Sequence, residues 1–394
     1  MKLLWLLVTV WIVTEVEAVN TGPFLPAYDE LLKPEQIHTS VGKEPSTVFI
    51  TWVTQNDAGP LMVQYGTDRN LLTLAVNASK STFKDGGKLQ RAIWIYRAKL
   101  DQLQASTWYF TAPENSDGRV FKAVKDYVSG LSSKLLQFKT LPSSDTKDTI
   151  RIAVVGDMGV KNARALPEMK DKAVNDQFNL VLHVGDFAYD MDVDEGRVGD
   201  QFMRSIEPIA SRSEIMKTHS RNDLCNFDSF SNFSHYTNRF TTEGGSLDSH
   251  FYSFNVGKMH IISFSSEFYY YVWYGWEQMV QQYYWLKADL EEANRPENRA
   301  KRPWIIAMGH RPMYCSNSND PQHCTNKDNA IREGVVYRPY NKEPAAKLFS
   351  LEELFYQHGV DLIFSAHEHS YERMWPVYRS KLKLEILKPK DLKA

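Results

Sequence analysis

The pattern of hydrophobic and polar positions divides the chain into two regions. From about Pro34 to Thr140, short apolar runs alternate with Gly, Asn and Asp turn signals. Closely spaced short runs of this kind are typical of a small antiparallel β-sandwich. The predicted strands of this region are Ser46–Thr54, Leu61–Tyr65, Ala92–Leu100 and Trp108–Thr111.

The pattern changes after the polar, turn-rich segment Leu141–Asp148, where we place the domain boundary. Apolar runs now lie far apart with amphipathic, helix-length segments between them, which predicts an α/β domain with a largely parallel or mixed sheet. The predicted buried strands are Ile150–Val155, Leu180–Val184, His260–Phe264, Trp304–Met308 and Leu362–Ser365. The predicted helices are Ala163–Gln177, Glu277–Asn294 and Lys347–Gln357.

The first residues are typical of a targeting segment. Lys2 precedes the apolar run Leu3–Val13, and small-residue spacing follows at Val16-Glu17-Ala18. This pattern predicts a signal peptide over residues 1–18. The alternatives are a buried N-terminal helix or a membrane anchor, although the run is short for a span. No interior stretch is long and apolar enough to cross a bilayer.

Export changes how two other features are interpreted. The triplets Asn77-Ala-Ser and Asn232-Phe-Ser are acceptor sequons for N-glycosylation. In an oxidising compartment Cys315 and Cys324 could close a short loop and leave Cys225 unpaired, the alternative being independent free thiols.

Charge and composition exclude two classes of protein. The 394 residues contain 46 Lys and Arg against 48 Asp and Glu, so the formal net charge is −2. This balance disfavours a dedicated nucleic-acid binder, which normally carries a basic excess. An aromatic content of 13% supplies enough large apolar surface for a sizeable core, which excludes global disorder.

Residues capable of binding metals follow four of the predicted buried strands. Because the carboxyl ends of strands in open α/β sheets are where ligands bind, these residues form one candidate site. Taken singly, a Gly-Asp pair is more often a turn or a helix cap, and a lone histidine is more often structural. The candidate ligands are Asp157, Asp186, Tyr189, His310, His367 and His369.

Taken together, two carboxylates, one phenol and three imidazoles suit iron, zinc or manganese and are poor for calcium. A carboxylate can bridge two ions, and a pair of ions can clamp a transferring phosphoryl group. The set therefore indicates a two-metal hydrolase. Nucleophilic alternatives fit worse, because the chain has no Gly-x-Ser-x-Gly elbow, Walker loop or Rossmann glycine fingerprint.

The motifs around these residues resemble those of a known family. The segments are Gly156-Asp-Met-Gly159, Gly185-Asp-Phe-Ala-Tyr189, Met308-Gly-His310 and Ala366-His-Glu-His369. They are similar, in this order, to the motifs of metallophosphoesterases of the purple acid phosphatase type. The resemblance covers about Pro34 to Tyr378. It is closest to the long animal form, which has a fibronectin-III-like front domain.

The resemblance implies a role for each candidate ligand. Asp157, Tyr189 and His369 would hold a ferric ion, and the tyrosinate would give the protein its colour. Asp186 would bridge the two ions. His310 and His367 would hold a second, divalent ion, zinc or manganese.

The third motif of the family is not intact here. It ordinarily supplies an asparagine ligand and a histidine acid beside the substrate. One register places Asn226 at the asparagine and Phe227 at the histidine, and another makes Asn222 the ligand. His219 lies nearby as a substitute acid, although a histidine in a polar loop is more often a surface residue.

The resemblance implies a fibronectin-III-like N-terminal domain of the purple acid phosphatase type at residues 30–142 and a calcineurin-like metallophosphoesterase domain at 149–378. A divergent tail at 379–394 would follow, which makes the C-terminus shorter than in the family. The expected function is a secreted or lysosomal acid phosphatase in which a metal-bound hydroxide attacks a small phosphate monoester. The alternative is a secreted glycoprotein of the same fold that has lost turnover and acts by binding. Tyr189 counts against a third possibility, a phosphodiesterase or nucleotidase.

Overall fold

The computed structural model describes residues 28–115, 135–189, 191–218, 234–243, 250–272, 276–316, 324–325, 328–337 and 345–382. Within these ranges no helix is both long enough and apolar enough to pass through a lipid bilayer.

The N-terminal region folds as two antiparallel sheets of four strands each, with the orders β1-β2-β6-β5 and β4-β3-β7-β8. Trp52 and Tyr96 are fully buried and stack with ring centroids 5.6 Å apart. The predicted all-β domain is confirmed, and the apolar pattern missed the exposed strands β4 and β5 as well as the buried β1 and the half-buried β8. The strands are β1 Glu35–Val41, β2 Val48–Thr54, β3 Leu61–Gly66, β4 Leu74–Asn77, β5 Ser79–Lys84, β6 Ala92–Leu100, β7 Trp108–Asn115 and β8 Leu136–Lys139.

The second region contains two larger sheets. One has three parallel strands in the order β11-β10-β9, and the other is mixed, with the order β12-β13-β14-β17. The predicted α/β domain with mixed sheets is therefore confirmed. Its strands are β9 Ile152–Val155, β10 Leu180–Val184, β11 Glu214–Thr218, β12 Tyr252–Val256, β13 Met259–Ser263, β14 Trp304–Met308, β15 Val335–Tyr337, β16 Ala346–Leu348, β17 Leu362–Phe364, β18 Val377–Tyr378 and β19 Lys381–Leu382.

The helices are α1 Tyr28–Leu31, α2 Leu166–Val174, α3 Arg197–Ala210, α4 Ser234–Arg239, α5 Glu277–Ala293, α6 Pro296–Lys301, α7 Ala330–Glu333 and α8 Leu351–Gln357. The two longest of these, α3 and α5, bury one face each, with Phe202 and Leu286 among the buried side chains. The predicted helix Lys347–Gln357 is wrong in its first part, because residues 346–348 pair with β15 as strand β16. Helix α8 begins later, where the Ser350 hydroxyl accepts a hydrogen bond from the Glu353 amide at 3.2 Å.

The hairpin of β18 and β19 contacts helix α8. The Tyr378 hydroxyl donates to Glu353 at 2.5 Å, and the Arg379 guanidinium donates to the same carboxylate at 2.9 Å. The first residues of the predicted tail therefore pack on the second domain, and the tail beyond residue 382 lies outside the described residues.

A buried ion pair joins the two domains. Asp200 on α3 accepts from Arg239 of α4 at 2.8 Å and lies 2.6 Å from Arg91, the residue before β6. Arg239 also donates to Gln36 of β1 at 2.8 Å, and both Asp200 and Arg239 are 1% exposed. Burial raises the pKa of Asp200, but the charges of Arg239 and Arg91 outweigh it, so this pKa lies below its ordinary value. The interface therefore depends on a charged aspartate between two guanidinium groups.

Candidate metal centre

The carboxyl ends of four strands from the two large sheets meet at one place. Asp157 follows β9, Asp186 follows β10, His310 follows β14, and His367 follows β17. Backbone hydrogen bonds hold the ends together, from the Asp157 amide to Gly185 at 3.1 Å and from the Ala366 amide to His310 at 2.8 Å. The predicted ligands are thus brought together by strands that lie far apart in the sequence.

The first group consists of Asp186, His310 and His367, whose ligand atoms lie within 4.8 Å of one another. His310 Nδ1 lies 3.0 Å from the carbonyl oxygen of Val184. Because a carbonyl only accepts, Nδ1 carries the proton, and the lone pair of Nε2 points into the group. Nε2 lies 3.6 Å from Asp186 Oδ2 and 3.2 Å from His367 Nδ1. Asp186 and His310 are 4% and 1% exposed, so this half of the site is dry.

The second group consists of Asp157, Tyr189 and His369. The Tyr189 hydroxyl lies 2.8 Å from His369 Nε2 and 3.3 Å from Asp157 Oδ1. His369 Nε2 lies 3.2 Å from Asp157 Oδ1, and its side chain is 64% exposed. This group opens to solvent, where a substrate can approach.

Asp157 also links the two groups. Its Oδ2 accepts a hydrogen bond from the backbone amide of His367 at 2.8 Å, while its Oδ1 faces Tyr189 and His369. The contact orients the carboxylate and fixes the loop after β17 against the loop after β9.

Four residues of the site have a left-handed backbone. The φ angles are 54° at Asp157, 46° at Asp186, 51° at Tyr189 and 73° at His367. Residues with a side chain adopt this conformation rarely, and such strain clusters at functional sites. Gly185, with φ at 82°, is required for another reason, since a Cβ there would lie 2.4 Å from His310 Nδ1.

A buried ion pair next to the site was missed in the sequence. Arg311, the residue after His310, donates to Glu267 at 2.8 Å and 3.2 Å, and the two side chains are 3% and 1% exposed. Burial lowers the pKa of Arg311, but the charge of Glu267 outweighs it and raises that pKa above its usual value. Arg311 Nη1 also lies 3.2 Å from His367 Nε2 and so fixes the ring of that histidine. An arginine directly after a candidate ligand is the signal that could have revealed it.

The donor chemistry fits a pair of metal ions. The carboxylates, the phenol and the imidazoles converge in two adjacent groups, and the tautomer of His310 leaves Nε2 to bind a cation.

The remaining predicted residues are those of the third motif, the sequons and the cysteines. His219, Asn222, Asn226, Phe227, Asn232 and Cys225 lie outside the described residues. Asn77 ends β4 and its side chain is exposed. Cys315 and Cys324 are joined by a disulfide with Cα atoms 5.3 Å apart, and Glu368 Oε1 lies 3.4 Å from Cys324 Sγ. The disulfide thus lies beside the segment that carries His367 and His369.

Known proteins match both regions of the chain. Residues 34–140 match the family model of the purple acid phosphatase N-terminal domain, and residues 150–371 match that of the calcineurin-like phosphoesterases. Acid phosphatase type 7 of Mus musculus is 41% identical over 346 residues, covering 88% of this chain and 72% of that protein. The Danio rerio protein of the same name is 40% identical, covering 89% of this chain and 73% of that protein.

Among solved structures, a purple acid phosphatase from seeds of yellow lupin, Lupinus luteus, has a similar fold, with a TM-score of 0.67 at 20% identity. The match covers 89% of this chain and 61% of the lupin chain. Since the family models cover most of the chain and the animal relatives exceed 30% identity over most of their own length, this protein belongs to the purple acid phosphatases, within the calcineurin-like phosphoesterase family.

Proposed function

We propose that this protein hydrolyses phosphate monoesters at acidic pH with two metal ions in the site described above. The observation that carries the proposal is the convergence of Asp186, His310 and His367 beside Asp157, Tyr189 and His369. The donor types, rather than the fold, point to this chemistry, because a fold can host many functions.

In this proposal, Asp157, Tyr189 and His369 would hold a ferric ion, His310 and His367 would hold zinc or manganese, and Asp186 would serve both ions. When bound, such a pair of ions supplies Lewis-acid activation of water and neutralises charge on the phosphoryl oxygens. Asn226 is a proposed further ligand to the second ion.

The protein's own residues prepare the site. The Val184 carbonyl fixes the tautomer of His310, the His367 amide orients Asp157, and Arg311 fixes the ring of His367. The burial of Asp186 and His310 excludes bulk water from one side, while the exposed His369 marks the side open to substrate. Electrostatic interactions are stronger in such a dry, preorganised setting than in water.

The tyrosinate assignment is tested by colour. We expect the purified protein, loaded with iron, to absorb broadly in the visible, and Tyr189→Phe to lose that band, because a phenolate bound to ferric iron gives charge transfer. Tyr96→Phe is the control, since Tyr96 lies in the N-terminal domain and donates to the Gly59 carbonyl. An unchanged spectrum in Tyr189→Phe would show that Tyr189 is not the chromophore. If the iron-loaded wild type is colourless, the proposed ferric ion bound by a tyrosinate is wrong.

The damaged third motif favours a second candidate, a protein of the same fold with impaired turnover. If Phe227 replaces the histidine acid, the leaving alkoxide lacks a proton donor, and general-acid help is worth about 10²–10⁴-fold. We expect Phe227→His to raise the hydrolysis of alkyl phosphates more than that of aryl phosphates, whose leaving groups need little protonation. If Phe227→His changes nothing while His219→Ala abolishes turnover, then His219 is the acid.

We also propose that the protein works in the secretory pathway or the lysosome. The disulfide between Cys315 and Cys324 supports this, since cytosolic thiols are kept reduced. The exposed sequon at Asn77 is a proposed glycosylation site.

A further inference from the structure

A cavity of about 370 Å³ lies in the loop that leads from β9 into α2. Its lining includes Val160, Asn162 and three cationic side chains, those of Lys161, Arg164 and Lys170. The first two cations are exposed and the third is half-buried.

The lining carries positive charge without a matching negative charge. No carboxylate lines this cavity. Glu168, on the adjacent first turn of α2, is engaged with Lys172 at 2.7 Å. Across the described ranges, Lys161, Arg164 and Lys170 enter no ion pair and no side-chain hydrogen bond. The three cations are therefore available to an anion.

The cavity begins beside the candidate metal centre. Gly159 packs on the ring of Tyr189, where a Cβ would lie 3.1 Å from Cδ2, and the next residue, Val160, lines the cavity. Val160 is three positions after Asp157, so their Cα atoms lie within about 11 Å of each other. The edge of the cavity at Val160 is therefore near enough to the metal centre for a small molecule bound there to extend towards it.

We propose that Lys161, Arg164 and Lys170 bind a second phosphate group of the substrate, so that the preferred substrates are small phosphomonoesters carrying a further phosphate. The inference rests on the proposed function, since it places the first phosphate at the metal centre. Lysine and arginine are the common partners of phosphate oxygens, and their hydrogen bonds to charged acceptors are stronger than neutral ones.

The test compares fructose 1,6-bisphosphate, fructose 6-phosphate and an aryl phosphate as substrates. We expect kcat/KM to be at least about tenfold higher for the bisphosphate than for the monophosphate, as expected for charge-assisted contacts. In the triple variant Lys161→Gln/Arg164→Gln/Lys170→Gln that preference should vanish, mainly through KM. Turnover of the aryl phosphate should be unchanged, because it has no second phosphate.

A control variant distinguishes the loss of contacts in the cavity from the loss of positive charge elsewhere on the protein. Arg69, Lys84 and Lys88 are exposed cations of the N-terminal domain, and their replacement by glutamine removes the same charge. Equal loss of the preference in this control, or no preference in the wild type, would overturn the proposal.

Binding of fructose 1,6-bisphosphate to the metal-loaded protein, measured by calorimetry, keeps the two proposals apart. If the wild type hydrolyses none of the esters, the proposed function fails. The cavity assignment then stands only if the triple variant binds the bisphosphate at least about tenfold more weakly than the wild type.

Discussion

Replacement of His310 by glutamine is expected to lower kcat/KM for phosphomonoesters by roughly a thousandfold. His310 presents Nε2 to Asp186 and His367, and its replacement removes a proposed ligand from the buried half of the site. A catalytic ion contributes several kcal/mol, and about 4 kcal/mol corresponds to three decades in rate. The measurements are kcat/KM and the metal content of the purified variant, which should fall from two ions towards one.

The matched control is His260→Gln. His260 is also a buried histidine with a carboxylate partner, Asp289 at 2.8 Å, but it pairs with Ile305 near the amino end of β14. It therefore lies near the amino ends of these parallel strands, away from the candidate metal centre. The His260→Gln variant should keep both the metal content and the turnover per folded molecule of the wild type. If His310→Gln retains two ions and full turnover, the metal assignment is wrong.

Replacement of Asp200 by asparagine is expected to lower the free energy of unfolding by about 3–5 kcal/mol, as for other buried ion pairs that lose one partner. The change leaves the guanidinium of Arg239, which is 1% exposed, without its counter-charge at the domain interface. Denaturant unfolding followed by tryptophan fluorescence and by circular dichroism measures the loss. The two domains should also separate into two transitions, because the pair holds them together.

Asp57→Asn provides the comparison for an exposed pair. Asp57 and Lys80 lie 2.8 Å apart, and their side chains are 45% and 35% exposed, so solvent screens the interaction. We expect the free energy of unfolding of Asp57→Asn to stay close to that of the wild type. Equal destabilisation by Asp57→Asn and Asp200→Asn would show that burial of the pair is unimportant.

The strands that could be predicted from the sequence are those with continuous apolar runs that end at a clear turn signal. Strands β10 and β14 are buried runs, and their predicted ends agree with the structure. Strands β4 and β5 were missed because most of their side chains face solvent, which leaves little hydrophobic signal. The short strand β16 was predicted as helix because an amphipathic pattern runs through it, and pairing with β15 overrides that pattern.

For the site, the rule that ligands bind at the carboxyl ends of strands predicted that the six candidate residues lie close together. It did not predict which of them would be neighbours, because the arrangement depends on how two separate sheets meet. The pairing of Tyr189 with His369 came only from the family resemblance. The Arg311–Glu267 pair was missed because its only signal is an arginine directly after His310, and the sequence does not show which carboxylate that arginine meets. The cations near α2 were missed because exposed lysines and arginines are common on any surface.

The hydrogen bond from the His367 amide to Asp157 joins residues 210 positions apart. Side chains from both ends of the second domain must therefore meet before either proposed metal site has its full set of donors. Contacts of such high sequence separation form late in folding, and domains of a nascent chain fold in order from the N-terminus. Metal uptake should then be among the last events of biogenesis. A chain trapped before its two sheets dock would have a folded N-terminal domain and would still be unable to retain the proposed metal ions.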